Sequence, residues 1–438
     1  MVQSPEPREL LERLGQIAQR LGTRSFLVGG PVRDLILGRA SPDLDIAVED
    51  RSREFGADVA RELGGRFVFH SRFLSGSVQL LSPLSSLLPP HLDITQTRAE
   101  TYPQPAVLPV VRPASIVGDL GRRDFTINSM AMELTPGSFG AFIDPFDGRA
   151  DVAQRRVRVL HARSFIDDPT RIFRCIRFAT RFGFEIERQT LELLRSAVEQ
   201  RLPAFLTPER ILYELRLICA EPLVLPMVKA LIHEKVLEAA WRWTPPRGFL
   251  SGIAKLARAS LGTRSEIPGG FRSCPSDLLF IYWLSVLPVT DRFPIRKEER
   301  DAAEAVAGFA KLKARLKRKL KPSSIVKILR SVPEPALHIL AVLESKAVST
   351  SIRVFLDSYS MVRIEATGRD LRAAGLAPGP AYREILDKLL FARLDGKIRT
   401  VAEEHEMLTK LIGRVRDTTR NRRADFGHVP RTCSSSTG

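Results

Sequence analysis

Residues 26–48 constrain this chain more than any other stretch. Phe26-Leu27-Val28 is a short apolar strand, and Gly29-Gly30 is a tight turn whose backbone can approach a ligand closely. Pro31 suits the first position of a helix and Gly38 its end. Arg33 and Asp34 lie on that helix, and Asp43-Leu44-Asp45 opens a second strand. Two glycine amides at a helix start form an anion site that suits a triphosphate. Asp43 and Asp45 alternate with Leu44, Ile46 and Val48, so both carboxylates project from one strand face. Such a pair repels unless a cation sits between, and oxygen-only ligands suit Mg²⁺. Phosphates beside a divalent-metal carboxylate pair point to nucleotidyl transfer by a two-metal mechanism. Taken separately, each half has a plainer reading, a simple turn or a solvated strand face. Their spacing within one strand-turn-helix-strand unit favours the joint one.

The rest of the chain sets bounds. Its 438 residues suffice for about three domains, and 44% apolar content supports ordinary cores. No run approaches the ~20 apolar residues of a membrane span, and the start, Met1-Val2-Gln3-Ser4-Pro5-Glu6-Pro7, reads as neither signal nor transit peptide. Cys175, Cys219, Cys274 and Cys433 are far apart and lack metal spacing, which fits reduced thiols in a cytoplasmic protein. The seven histidines form no HExxH or His-Asp hydrolase cluster. The net charge of +17, pI ≈ 10.2, is clustered and implies a polyanionic partner.

Leu10, Leu14, Ile17 and Leu21 predict an amphipathic helix over 8–21. Strands are expected near 25–28, 43–48, 66–70, 76–81 and 91–97, with 82–90 a loop. Beyond Arg122 strand signals fade and helical periodicity dominates, so the class is α+β, a small mixed sheet followed by a long all-α region. Pro/Gly-rich breaks lie near 203–208, 244–252 and 265–276, and the Arg-rich then Ser/Thr-rich end, 414–438, is expected to be disordered.

Several further groups carry chemistry. Asp93, between Leu92 and Ile94, can supply a third acid to the metal site or be an exposed strand residue. In the run Gly121-Arg122-Arg123-Asp124-Phe125-Thr126-Ile127-Asn128, two arginines can neutralise a triphosphate and the adjacent carboxylate can accept from a ribose hydroxyl. The turn-rich segment Asp144–Asp151 reads equally as a hinge or a plain loop. Asp168 before Pro169 is a natural helix cap. Arg171, Arg174, Arg177 and Arg181 follow on one helical arc with no matched acids along it, a stripe that suits phosphates. Asp168 and Arg171 can also read a base. The carboxylate accepts from an exocyclic amine and the guanidinium donates to a ring nitrogen, an edge that cytosine and adenine share. Uracil and guanine would leave buried polar groups unpaired. Lys311–Lys321 holds seven basic residues and no acid, with Leu312, Leu316 and Leu320 on one helical face and Lys311, Arg315 and Lys319 on the next. That run is a packed helix with a solvated face to which Lys311, Arg315, Lys317, Arg318 and Lys319 add RNA backbone contact.

Together these motifs resemble the class II tRNA nucleotidyltransferases, the CCA-adding enzymes, and the related bacterial poly(A) polymerases, over nearly the whole chain to about residue 410. The block from Gly29 to Asp45 resembles the family's metal motif, Arg122-Arg123-Asp124 its ribose-selecting motif, and Asp144–Asp151 its flexible connector. Asp167-Asp168-x-x-Arg171 resembles its Glu-Asp-x-x-Arg base template, and Thr207-Pro208-Glu209-Arg210-Ile211 with Glu214-Leu215 its fifth motif. Thr367-Gly368-Arg369-Asp370-Leu371, Gly375, Pro378-Gly379 and Leu394-Asp395-Gly396 resemble the tail of the CCA-type enzymes. Three positions depart from the pattern: Pro31 for a small residue, Asp167 for Glu, and Asp93 where relatives vary.

The resemblance implies a polymerase-β-like nucleotidyltransferase head (1–140), then a helical neck (141–205), body (206–330) and tRNA-binding tail (331–413). It implies addition of CCA, or part of it, to the tRNA 3′ end from CTP and ATP. CC-only or A-only addition, poly(A) synthesis and an inactive RNA-binding relative are the alternatives. The implied metal ligands are Asp43 and Asp45, with Asp93 as a third candidate. Gly29, Gly30, Arg33, Arg122, Arg123, Asp124, Asn128, Asp168, Arg171, Arg174 and Arg177 are the implied nucleotide contacts.

Overall fold

The structure is a computed structural model and describes residues 7–41, 43–81, 91–261, 274–288 and 293–425. It falls into two compact units, residues 1–250 with 290–294, and residues 251–289 with 295–438.

The first unit is built on the expected strands. β1 (Ser25–Val28), β2 (Asp45–Val48), β3 (Gly65–His70), β4 (Ser75–Leu80) and β5 (His91–Gln96) all form. The amphipathic helix is α1 (Pro7–Arg20), with Leu10, Leu14 and Ile17 fully buried and Leu21 half-buried beyond its end. α2 (Gly30–Ile36) and α3 (Ser52–Leu63) connect the first three strands. After a two-stranded hairpin, β6 (Arg98–Thr101) with β7 (Val110–Pro113), comes α4 (Ile116–Gly121). The loop expected over 82–90 lies outside the described residues.

Strand formation does not end at Arg122, contrary to the sequence expectation. β8 (Ala131–Glu133) pairs with β1, and β9 (Phe142–Ile143) pairs with β8. The sheet order is therefore β3-β4-β5-β2-β1-β8-β9. Strands of three and two residues are too short for alternation to mark them. They form because β1, buried along its whole length, needs a hydrogen-bonding partner on both edges. The β2–β5 pair is parallel and the other pairs are antiparallel.

The two sheet faces differ. On one, α3 packs so closely on β3 that a Cβ at Gly56 would stand 2.2 Å from the Phe67 ring. On the other, Phe26, Val28 and Ala47 bury against Ile116 and Leu120 of α4. By alternation Asp45, Asp93, Thr95, Ser75 and Ser77 share that second face, where all five line a cavity.

Residues 144–151, read as hinge or loop, run into a helix, α5 (Gly148–Ala153). Asp144 accepts from the Gly148 and Arg149 amides at 2.7 and 2.9 Å. Asp151 is buried, accepting from Thr126 Oγ1 at 2.7 Å and Arg158 Nε at 2.8 Å. Helices follow: α6 (Ser164–Asp167), α7 (Thr170–Phe182), α8 (Arg188–Glu199), α9 (Pro208–Cys219) and α10 (Val224–His233). α10 packs on α7, so the boundary between the two units, at Leu250, falls inside the 206–330 segment expected as one body.

The second unit is all helical among its described residues. One core gathers Phe309, Leu316, Leu329, Leu340, Val348 and Ile352, and another Leu371, Ile385, Leu389, Leu408 and Ile412. Thr367 and Asp370 form a reciprocal capping box. Asp395 accepts from Ser323 N and Oγ at 3.0 and 2.8 Å. The last helix, Val401–Asp425, runs on past Arg414, where loss of order was expected, and 426–438 lie outside the described residues. No helix among the described residues is long and apolar enough to cross a membrane.

Candidate functional site

A cavity of about 780 Å³ in the first unit gathers most of the residues singled out in sequence. One wall is the open sheet face. The parallel β2–β5 register sets Asp45 opposite Asp93, and the Asp93 amide donates to the Leu44 carbonyl at 3.0 Å. Asp43, just before β2, is exposed and lines the same wall. Burial pushes the Asp45 carboxyl up to about 6; Arg123 opposes this, while Asp93 and Asp43 add to it. A divalent cation would relieve that repulsion, and the all-oxygen donors fit one. Among the described residues no three His, Cys, Asp or Glu side chains are close enough to enclose an ion alone. A cation here would complete its shell with oxygens from bound substrate.

The glycine turn borders this wall. Gly29 has φ +75°, which favours glycine, and a Cβ there would stand 2.5 Å from Arg123 Nη1. Its amide donates to the Met130 carbonyl at 3.1 Å, so only Gly30, which lines the cavity, presents an amide without a sheet partner. Pro31 occupies the first turn of α2, where its missing N–H costs nothing. Arg33 is buried. It donates to Asp34 Oδ1 at 2.8 Å and to Asn128 Oδ1, and its guanidinium lies 4.4 Å from the Phe182 ring centroid.

The arginine pair at the end of α4 is held by acids the sequence reading did not name. Arg122 Nη2 and Arg123 Nη2 lie 2.8 and 3.0 Å from the two oxygens of buried Asp119, and Arg122 Nη1 reaches Glu100 Oε1 at 2.9 Å. Asp124 accepts from Asn128 Nδ2 at 2.9 Å and pairs with Arg174 at 2.6 Å. Burial pushes the Asp124 carboxyl up, but Arg174 and Asn128 outweigh it and hold the pKa at about 2.

The stripe on α7 is not unmatched, which corrects the sequence reading. Arg174 pairs with Asp124, Arg177 with Glu214 and Glu221 at 3.6 Å each, and Arg181 with Glu221 at 3.5 Å. The acids come from other elements, so the stripe's own spacing could not reveal them. Arg171 donates to Ser164 Oγ and to the Arg122 carbonyl, both at 2.8 Å. α7 starts one residue later than expected, with Pro169 rather than Asp168 at its cap position, and Asp168 stands just before it, accepting from Thr170 N at 2.9 Å and from Arg210 Nη2 at 2.7 Å. All four arginines and Asp168 line the cavity.

In the second unit, Lys311, Arg315, Lys317, Arg318 and Lys319 are all exposed. The helix there is shorter than expected, Ala310–Leu316, so Lys319 and Leu320 lie past its end. Leu316 is buried and Leu312 and Leu320 pack beside it. Cys175 and Cys219 are buried and Cys274 is exposed, while Cys433 lies outside the described residues.

Comparison with known proteins gives this geometry a context. Residues 25–158 match the Poly A polymerase head domain. The A-adding tRNA nucleotidyltransferase of Halalkalibacterium halodurans is 33% identical over 383 residues, 86% of each chain. The CC-adding tRNA nucleotidyltransferase of Deinococcus radiodurans is 29% identical over 91% of this chain and 93% of its own. The Thermotoga maritima CCA-adding enzyme, solved in complex with tRNA, superposes with a TM-score of 0.68 at 28% identity, covering 94% of this chain and 97% of that one. The chain belongs to the class II tRNA nucleotidyltransferase family.

Proposed function

We propose that the chain adds CCA, or part of it, to the 3′ end of tRNA from CTP and ATP, with release of pyrophosphate and with Mg²⁺ as its metal. The observation that carries this reading is a single cavity joining an Asp43/Asp45/Asp93 wall on the sheet to Asp168 and the arginines of α7. Asp43 and Asp45, with Asp93 beside them, would hold the metal, which when bound lowers the pKa of the attacking 3′-hydroxyl and neutralises the departing pyrophosphate.

The remaining steps belong to side chains. Gly30, Arg33 and Arg123 form the triphosphate end, with Gly29 shaping the turn behind them and Arg122 and Arg123 pre-set by Asp119. Asp124 and Asn128 stand at the ribose. Asp168 and Arg171 choose a base that offers an exocyclic amine beside a ring acceptor, and Arg174 and Arg177 support them. Such a template needs no nucleic-acid guide, because a mismatched base leaves a buried charge unpaired. The exposed basic run at 311–319 would contact RNA backbone.

The test gives purified protein tRNAs ending before CCA, after C and after CC, with CTP, ATP or both. Full CCA activity extends all three to the complete end. CC-only, A-only and poly(A) activities each leave a different product length. Asp43→Ala should abolish extension while tRNA binding persists, and substantial residual turnover would reject the metal assignment.

A further inference from the structure

Nothing in the proposed chemistry uses Tyr102, yet it lines the same cavity and stands beside Arg171. It directly follows β6, and its hydroxyl donates to Glu100 Oε2 at 2.8 Å. The other Glu100 oxygen accepts from Arg122 at 2.9 Å and from Arg98 at 3.2 Å, in a network almost closed to solvent. Burial and the Glu100 charge push the phenol pKa up, so the hydroxyl stays a neutral donor.

The hairpin that carries Tyr102 is pinned to the start of α7. The Ala106 amide donates to the Asp167 carbonyl at 3.3 Å, and the Ala106 carbonyl accepts from Arg210 Nη1 at 2.7 Å. Arg210 Nη2 holds Asp168 at 2.7 Å, so one guanidinium fork fixes both the loop and the candidate base reader. Ala106 adopts φ +62°, a left-handed conformation that a Cβ disfavours and that these bonds hold in place.

The spacing is informative. The Arg171 guanidinium carbon lies 6.0 Å from the Tyr102 ring centroid. That is the outer edge of cation–π distance, so the ring face borders the space in which a base whose edge meets Asp168 and Arg171 would lie. We propose that Tyr102 is a nucleobase-contact residue whose ring forms one wall of the slot where the base offered to Asp168 and Arg171 lies. The inference rests on the nucleotidyl-transfer reading above and deepens it. An aromatic face stacks on any base, so Tyr102 contributes affinity for both CTP and ATP, more for the larger purine, and leaves discrimination to Asp168 and Arg171.

Equilibrium binding of CTP, ATP and inorganic tripolyphosphate to the full chain, without tRNA, tests this. Tyr102→Ala should weaken both nucleotides about five- to thirtyfold, ATP more than CTP, and leave tripolyphosphate affinity within about twofold. Tyr102→Leu, which keeps bulk without a π-face, should behave like the alanine variant. Tyr102→Phe should recover most of the affinity. In turnover the loss should fall on KM for the nucleotide rather than on kcat. Equal weakening of tripolyphosphate would reduce Tyr102 to a structural support, and undiminished nucleotide binding in Tyr102→Ala would remove it from the slot; either result overturns the inference and leaves the wider reading standing. A native chain that binds neither CTP nor ATP overturns both.

Discussion

Asp124 shows how a single side chain can be structural and chemical at once. It is 8% exposed, and it keeps its charge because Arg174 and Asn128 compensate for lost hydration. Its folded pKa of about 2 lies below the unfolded value near 3.9, so on acidification the unfolded state takes up its proton first. The stability from this pair is therefore complete above pH ~4 and is lost as pH falls toward 2. Asp124→Asn should cost about 1–3 kcal/mol at pH 7, since it leaves the half-buried Arg174 charge short of its partner. Urea titrations across pH should show the gap between native and variant closing between pH ~4 and ~2. A gap that persists at pH 2 would mean that the carboxylate's charge is not what stabilises. Sequence placed Asp124 and Arg174 in the site separately. It could not pair them, because 50 residues separate them and no local period links a loop to a distant helix.

At the level of elements, α5 repays scrutiny because the sequence read it as loop or hinge. Turn-formers dominate residues 144–151, and a six-residue helix offers too few positions for a period to emerge. What makes it an element is contact. A Cβ at Gly148 would stand 2.2 Å from the Thr126 carbonyl oxygen and 2.9 Å from Met130 Cγ. α5 is thereby seated on the short turn that presents Asn128 to the cavity. Gly148→Ala must push backbone apart, at a cost of about 1–3 kcal/mol. It should lower the melting temperature by several degrees and weaken CTP binding together. Calorimetry and nucleotide titration on one preparation would check both, and a variant of native stability and affinity would refute the close seating. The glycine turn at β1 was legible for the opposite reason: strand, turn and helix follow one another in sequence, and Gly29's positive φ is a local demand.

The whole molecule carries a net charge of +17, and two sets of its basic side chains differ in their partners. Arg122, Arg123, Arg174, Arg177 and Arg181 are paired with buried acids, whereas Lys311, Arg315, Lys317, Arg318 and Lys319 are exposed. The exposed set should dominate the salt dependence of tRNA binding, since each phosphate contact releases counterions and contributes about 0.7–0.9 to the log–log slope. Replacing all five by Gln should flatten that slope by several units, measured by filter binding over a salt series, and leave CTP affinity near native. An unchanged slope would remove this run from the RNA interface.

Sequence by itself determined the parts of this protein that depend on neighbours in the chain. These are the glycine turn, the alternating Asp43 and Asp45, the helix start beside Asp168 and Pro169, the arginine arc of α7 and the leucines that bury the 310–316 helix. Each follows from the period of a strand or helix, or from the chemistry of one turn. Tertiary structure decided which charges are spoken for. It brought Asp93 opposite Asp45 through a parallel register, Asp119 and Glu100 onto the arginine pair, Glu214 and Glu221 onto α7, and Tyr102 to the side of Arg171. It also closed the sheet with β8 and β9. Partners of this kind meet only when burial brings distant segments together, and a buried charge or strand edge then takes whichever group can satisfy it.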